Sequence, residues 1–114
     1  MDVKIAVASS DGRTVNEHFG RARSFSIYRL HETGNKLLEV RENNPACSGQ
    51  QHSDFALEQT VGNIADCRGV VAAQIGAGAI DALIRHRILA FTMSGPIAEA
   101  LNVLHSSKRF TCLR

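Results

Sequence analysis

No two cysteines in this chain of 114 residues are spaced as a zinc site or a ferredoxin-type cluster requires. Cys47, Cys67 and Cys112 are odd in number and scattered, which excludes a disulfide framework and leaves reduced thiols as the expectation. Any metal chemistry built on this chain must therefore be of an unusual kind. Charge of one sign is also scarce. Thirteen Lys and Arg against eleven Asp and Glu give a formal net charge of +2, too little to argue for nucleic acid or an anionic membrane. No run approaches the roughly 18 apolar residues that span a bilayer. The opening Met1-Asp2-Val3-Lys4-Ile5 reads directly as a strand, without the basic and long apolar regions of a secretory signal, so a cytoplasmic location is expected. Internal repeats, linkers and low-complexity tracts are absent.

What is present suits one globular domain. An apolar fraction of 44% is enough for a single core between layers of secondary structure. Val3, Ile5 and Val7 alternate along a first strand over 3–8, which Ser9-Ser10-Asp11-Gly12 ends; a polar stretch then runs to about Arg23. Phe25, Ile27 and Leu30 mark a second strand, and 36–41 a third, joined by a turn at 31–35 into an antiparallel hairpin. Residues 42–52 read as an irregular loop. Ser53 is a candidate N-cap for a helix to about Ala65 with Leu57, Val61 and Ile64 inward. The largely apolar run 70–75 suits a strand covered on both faces. Gly76-Ala77-Gly78 then opens a helix whose predicted stripe is Ile80, Leu83 and Ile84. A strand over 88–93 follows, and Ser94-Gly95-Pro96 opens a last helix lined by Ile97, Ala100, Leu101 and Leu104.

The order β-β-β-α-β-α-β-α combines a meander with right-handed crossovers. It predicts an α/β domain of three layers, α/β/α, over a five-stranded mixed sheet of ribonuclease H-like order. The domain is expected over 1–105, with 106–114 as a tail.

Three segments carry a family resemblance. Asp11-Gly12 is followed by Val15-Asn16-Glu17-His18-Phe19-Gly20-Arg21-Ala22; Cys47-Ser48-Gly49-Gln50-Gln51-His52 precedes the first helix; and Ile64-Ala65-Asp66-Cys67 leads to the strand that ends in Ile75-Gly76-Ala77-Gly78. Over roughly residues 3–104 the chain resembles the dinitrogenase iron–molybdenum cofactor biosynthesis domain, found in NifX- and NifY-type proteins and at the C-terminus of NifB. The resemblance implies a cytoplasmic protein of nitrogen fixation that binds an iron–molybdenum cofactor, or its iron–sulfur precursor cluster, as cargo and is not itself an enzyme. Its expected partners are the cluster and other proteins of cofactor synthesis or nitrogenase. The Met1 start fits either a whole protein or the end of a NifB-type radical-SAM synthase.

Each candidate residue has a functional and a structural reading. His18 is a competent iron ligand, or else it caps its loop on a backbone carbonyl. Gly20 lets the backbone approach a bulky ligand, or else satisfies a positive φ. Arg13, Arg21 and Arg23 would stabilise an anionic cluster, or else form a solvated basic surface. Cys47 and His52, five residues apart, offer the thiolate and imidazole that iron–sulfur chemistry favours; two such ligands could hold a preassembled cluster weakly, as release requires. Otherwise they are a free thiol and a helix-start histidine. Gly49 between them suits a loop that folds around something. Gly76-Ala77-Gly78 could bind an anion at a helix start, although close strand–helix packing is the simpler account. Cys67 reads as a small buried residue.

Two other functions fit the same fold. A nuclease would need carboxylates gathered on the sheet, and the first strand holds none, while Asp11, Asp66 and Asp81 do not converge in the pattern. A cofactor-free protein-interaction module would leave Cys47 and His52 as incidental surface.

Overall fold

The computed structural model describes residues 3–31, 34–43 and 54–105. The main sheet has the strand order β4-β3-β1-β5-β6, where β1 is Val3–Ala8, β3 Ser24–His31, β4 Gly34–Glu42, β5 Gly69–Ala72 and β6 Leu89–Thr92. β1 runs antiparallel to β3, and β3 to β4, whereas β5 is parallel to both β1 and β6. This is the meander-plus-crossover arrangement that the pattern predicts. A second, two-stranded ribbon pairs β2, Thr14–Val15, with β7, Gly95–Pro96.

Helices cover both faces. α1 (Asp54–Asn63) and α2 (Ala77–Arg85) share one face, where Val61, Ile64, Ala79, Ala82 and Leu83 pack with Ala6, Ala8, Phe25 and Ile27. α3 (Ile97–His105) lies on the other, where Ile97, Ala100, Leu101 and Leu104 pack with Ile5, Val7, Leu30 and Val71. β1 is central and covered on both sides, so its inward residues on each face are fully buried. The alanines at 6 and 8 leave room on their face for the two large rings of Phe19 and Phe25, whose centroids are 5.8 Å apart.

Four details depart from the sequence reading. The buried stripe of α2 is Ala79, Ala82 and Leu83, while Ile80 and Ile84 are exposed. Ile75 and Ile88, just outside the helix, fill the core on either side of it, so the helix can sit on the sheet through its alanines. The run 70–75 stays in the sheet only to Ala72. Beyond that Ala73 N–H donates to the Glu17 carbonyl and the Gln74 carbonyl accepts from Phe19 N–H, both at 2.9 Å, so the chain exchanges one neighbour for another. Pro96 lies in the ribbon and α3 begins at Ile97, whose N–H donates to the Arg13 carbonyl at 2.8 Å. Close packing does not explain Gly76: a Cβ there would meet nothing within 4 Å. The candidate N-cap Ser53 and the residues Cys47, Gly49, His52 and Cys112 lie outside the described residues.

At the amino end of the sheet, Asp66 ties three elements together. Arg41 of β4 donates to both its oxygens, at 2.7 and 2.8 Å, and to the Asn63 carbonyl at 2.9 Å; Lys4 of β1 donates at 3.0 Å. The guanidinium of Arg41 holds the Asp66 carboxyl well below the usual carboxylate range. A depressed folded pKa means that the unfolded chain binds the proton more tightly, so this contribution is complete above the ordinary value of 3.8 and fades as pH falls below it. With 44% of the Asp66 side chain exposed, solvent screening keeps the effect modest. Stability measured by denaturant between pH 6 and pH 2 is therefore expected to decline below about pH 4, and less steeply in Asp66→Asn. Equal slopes in the two proteins would remove Asp66 from the account.

Candidate functional site

The polar stretch after β1 is built in two legs. In the first, Ser9 Oγ donates to Asp11 Oδ1 at 3.0 Å and accepts from Gly12 N–H at 2.9 Å; Asp11 also accepts from the amides of Arg13 and Thr14, at 2.8 and 2.9 Å, and from the Thr14 hydroxyl. The two amides hold its carboxyl far below the ordinary range. Gly12 takes φ +73°, where a side chain would be strained. Ser10 and Asn16 join the legs, the Ser10 amide donating to Asn16 Oδ1 and Asn16 Nδ2 to Ser10 Oγ.

The second leg is fixed by where its apolar residues go. Val15 is buried on the α3 face, whereas Phe19 and Ala22 are buried on the α1–α2 face. The chain between them must therefore pass over the carboxyl end of the sheet. There it runs parallel to the chain leaving β5, with His18 and Gln74 as bridge partners. His18 has extended dihedrals, φ −77° and ψ 143°, so its side chain points opposite to its neighbour's. Phe19 points into the core with 0% exposure; His18 points out. The imidazole makes no capping bond to the short 3₁₀ turn over Phe19–Arg21 that it precedes, and it has no hydrogen-bond partner among the described residues. Among the described residues, then, His18 caps no backbone carbonyl.

The surroundings of His18 favour negative charge. Arg13, Arg21 and Arg23 are exposed along the same stretch, without an ion-pair partner among the described residues. Two residues beyond Gln74, Gly76 stands as the N-cap of α2 with no side-chain cap, and residues 76–78 are exposed. The first-turn amides of α2 are thus open at the same edge, with the positive end of the helix dipole. Asn43 brings in a further segment: its amide donates to the Arg23 carbonyl and its Nδ2 to the Ala22 carbonyl, both at 2.8 Å. The stretch that contains Cys47, Gly49 and His52 departs from this anchored residue.

Gly20 does not have a positive φ, which removes that explanation for it. A Cβ at this position would meet nothing within 4 Å, so the space beside the turn is open. Gly20→Leu is accordingly expected to melt within about 2 °C of wild type, since surface changes cost within ~0.5 kcal/mol, while lowering retention of a bulky ligand several-fold. Unchanged retention would show that nothing large approaches there.

This edge can offer an imidazole, guanidinium groups and helix-start amides to an anionic species with one open metal position. Among the described residues there is no group of three or more His, Cys, Asp or Glu that could hold a metal ion. Asp11 is committed to its turn, Asp66 to Arg41 and Lys4 at the opposite end, and Asp81 is exposed on α2, so these three carboxylates do not gather. Cys67 is buried as expected, and burial pushes its thiol up to about 12, which keeps it protonated. Gln74, the partner that sets His18 in place, was not singled out from sequence; a polar residue ending the apolar run 70–73 is the signal that marks it.

The sequence pattern of the family described as "Dinitrogenase iron-molybdenum cofactor" matches residues 1–107. The chain belongs to this family. Its relatives include the FeMo cofactor biosynthesis protein NifB of Sinorhizobium fredii, 32% identical over 108 residues, covering 93% of this chain and 22% of that protein. NifX of Azotobacter vinelandii is 30% identical over 109 residues, covering 94% of this chain and 68% of NifX. The crystal structure of PH0822 superposes with a TM-score of 0.67 at 22% identity, covering 90% of this chain and 89% of the other, which shows a shared fold. This family member thus spans about a fifth of the length of the NifB relative and about two thirds of NifX. The NifB relative is named for FeMo cofactor biosynthesis, and the family for the dinitrogenase iron–molybdenum cofactor. No helix among the described residues is long and apolar enough to cross a membrane.

Proposed function

We propose that this domain carries an iron–molybdenum cofactor, or an iron–sulfur precursor of it, as cargo at the carboxyl edge of its sheet. His18 supplies a ligand to one metal of the preassembled cluster. Arg21 and Arg23 neutralise its charge, with Arg13 and the first amides of α2 nearby, and Gly20 leaves room for its bulk. Cys47 and His52 add ligands from the segment that leaves Asn43, and Gly49 allows that segment to bend around the cargo. The observation that carries this reading is an outward imidazole without a partner among the described residues, held in place by the buried Phe19 beside it.

Such a site suits a carrier. A few ligands and a diffuse positive field hold a finished cluster without building one, and they let it go to an acceptor. Transfer would run between proteins of cofactor synthesis and nitrogenase in the cytoplasm, with the domain itself not acting as an enzyme. The small share of NifB that the chain spans supports a second setting, in which the same domain serves as the cluster-holding end of a NifB-type synthase. We also read the sheet as ribonuclease H-like in order, with no nuclease activity attached.

The test is anaerobic incubation with an iron–sulfur cluster donor followed by gel filtration. The carrier reading expects colour to travel with the protein and Cys47 to become resistant to alkylation while Cys112 stays reactive. A colourless protein would favour a cofactor-free interaction module. Colour with Cys47 still reactive would remove Cys47 from the ligand set and leave the cargo on His18 and the arginines.

A further inference from the structure

At the opposite, amino end of the sheet lies a cavity of about 410 Å³ whose lining includes Lys4, Asp66, Cys67, Arg68, His86 and Arg87. Three of these side chains are permanent cations and one is an acid. The acid is already satisfied: Arg41, reaching in from β4, bonds both oxygens of Asp66. Lys4 gives Asp66 one bond and keeps ammonium hydrogens to spare. His86 is turned away to Glu58 of α1, at 2.9 Å.

Arg87 is the unusual member. It follows the last turn of α2 at φ +62°, the sole residue other than glycine with a positive φ among the described residues. The helix ends there in a Schellman motif, with Ile88 N–H donating to the Leu83 carbonyl and Arg87 N–H to the Ile84 carbonyl, both at 2.9 Å. That motif favours glycine at the position Arg87 occupies, and the chain does use glycine at Gly12 and Gly95, where φ is also positive. Backbone strain of this kind persists only where the surrounding structure imposes it, and it clusters at functional sites. The guanidinium of Arg87 is exposed and has no partner among the described residues. The carbonyl end of α2 disfavours an anion, and the two Schellman bonds lessen that field by satisfying the Leu83 and Ile84 carbonyls.

We propose that this cavity is a binding site for a small multivalent oxyanion, a molecule bearing phosphate or several carboxylates, held between Lys4 and Arg87. Guanidinium and ammonium groups around a cavity of this size fit such a ligand in charge and in volume. The site is separate from the His18 edge, because it lies at the other end of β1 and β5, and its occupancy does not depend on the cargo reading.

Thermal melts test it with inorganic pyrophosphate in one arm and citrate in another, each against sodium chloride of matched ionic strength. The wild-type protein is expected to melt higher in at least one arm than in chloride. A response to pyrophosphate alone assigns a phosphate ligand, to citrate alone a polycarboxylate, and to both the shared oxyanion chemistry. Arg87→Gly should melt about 4 °C above wild type in chloride, since glycine relieves the strain, and yet lose most of the anion-induced rise; Lys4→Gln should weaken the rise too. Arg21→Ala/Arg23→Ala should keep the rise, which locates the anion away from the His18 edge. The proposal is overturned if neither anion raises the wild-type melting temperature beyond chloride, if Arg87→Gly keeps the full rise, or if the Arg21/Arg23 variant loses it.

Discussion

Replacing Phe19 by alanine is expected to cost about 3–5 kcal/mol of folding stability, the range for losing a buried aromatic ring. Phe19 is fully buried, packs against Phe25 and lies in the core beneath α1 and α2. Neighbouring alanines at 6, 8 and 22 are too small to fill the space it would leave. Domains of this size have roughly 5–15 kcal/mol to lose, so the variant should be marginal or unfolded at physiological temperature. The consequence reaches function as well. Phe19 is the residue whose inward position obliges His18 to point outward, and its amide bond to Gln74 fixes the height of that turn. Phe19→Leu, which restores most of the apolar volume, should recover both stability and ligand retention. Chemical denaturation of the two variants measures this directly. A loss below about 1 kcal/mol in Phe19→Ala would mean that the turn does not depend on its anchor.

His18→Ala should give the opposite signature. The imidazole is exposed and bonds nothing among the described residues, so its removal is expected to shift the melting temperature by no more than about 2 °C. Cluster affinity should fall at least tenfold, which corresponds to about 1.4 kcal/mol for a lost ligand. Affinity is read by anaerobic titration with the cluster donor and the melt by circular dichroism on the same preparation. A steep fall in melting temperature would return His18 to a structural role. Unchanged affinity would move the cargo elsewhere.

Much of the fold was legible because it rests on local pattern. The alternation of β1, the Phe25–Ile27 strand and the 97-100-101-104 face of α3 each follow from a period that burial enforces. The misread features depend on contacts distant in sequence. The stripe of α2 could not be told from its isoleucines, because Ile75 and Ile88, just outside the helix, complete the core beside its alanines. The short β2–β7 ribbon exists only because α3 returns beside the first loop. At the site, the motif around His18 was visible as a motif, but not the direction of the imidazole, which follows from Phe19 entering one core after Val15 enters the other. Gln74 sets the position of the His18 segment through a backbone bond that any residue could make, and Asn43 holds its segment with its amide and its side-chain Nδ2 together, a pairing no local pattern announces.

The central claim is that cargo sits at the carboxyl edge, and paramagnetic mapping tests it most directly. In amide spectra of the ¹⁵N-labelled protein, loading a paramagnetic iron–sulfur cluster should broaden the signals of residues 17–21 and 74–79. Those of Lys4, Arg68 and Arg87 at the other end of the sheet should stay sharp. Broadening centred on the amino end, or spectra that do not change on loading, would contradict the account.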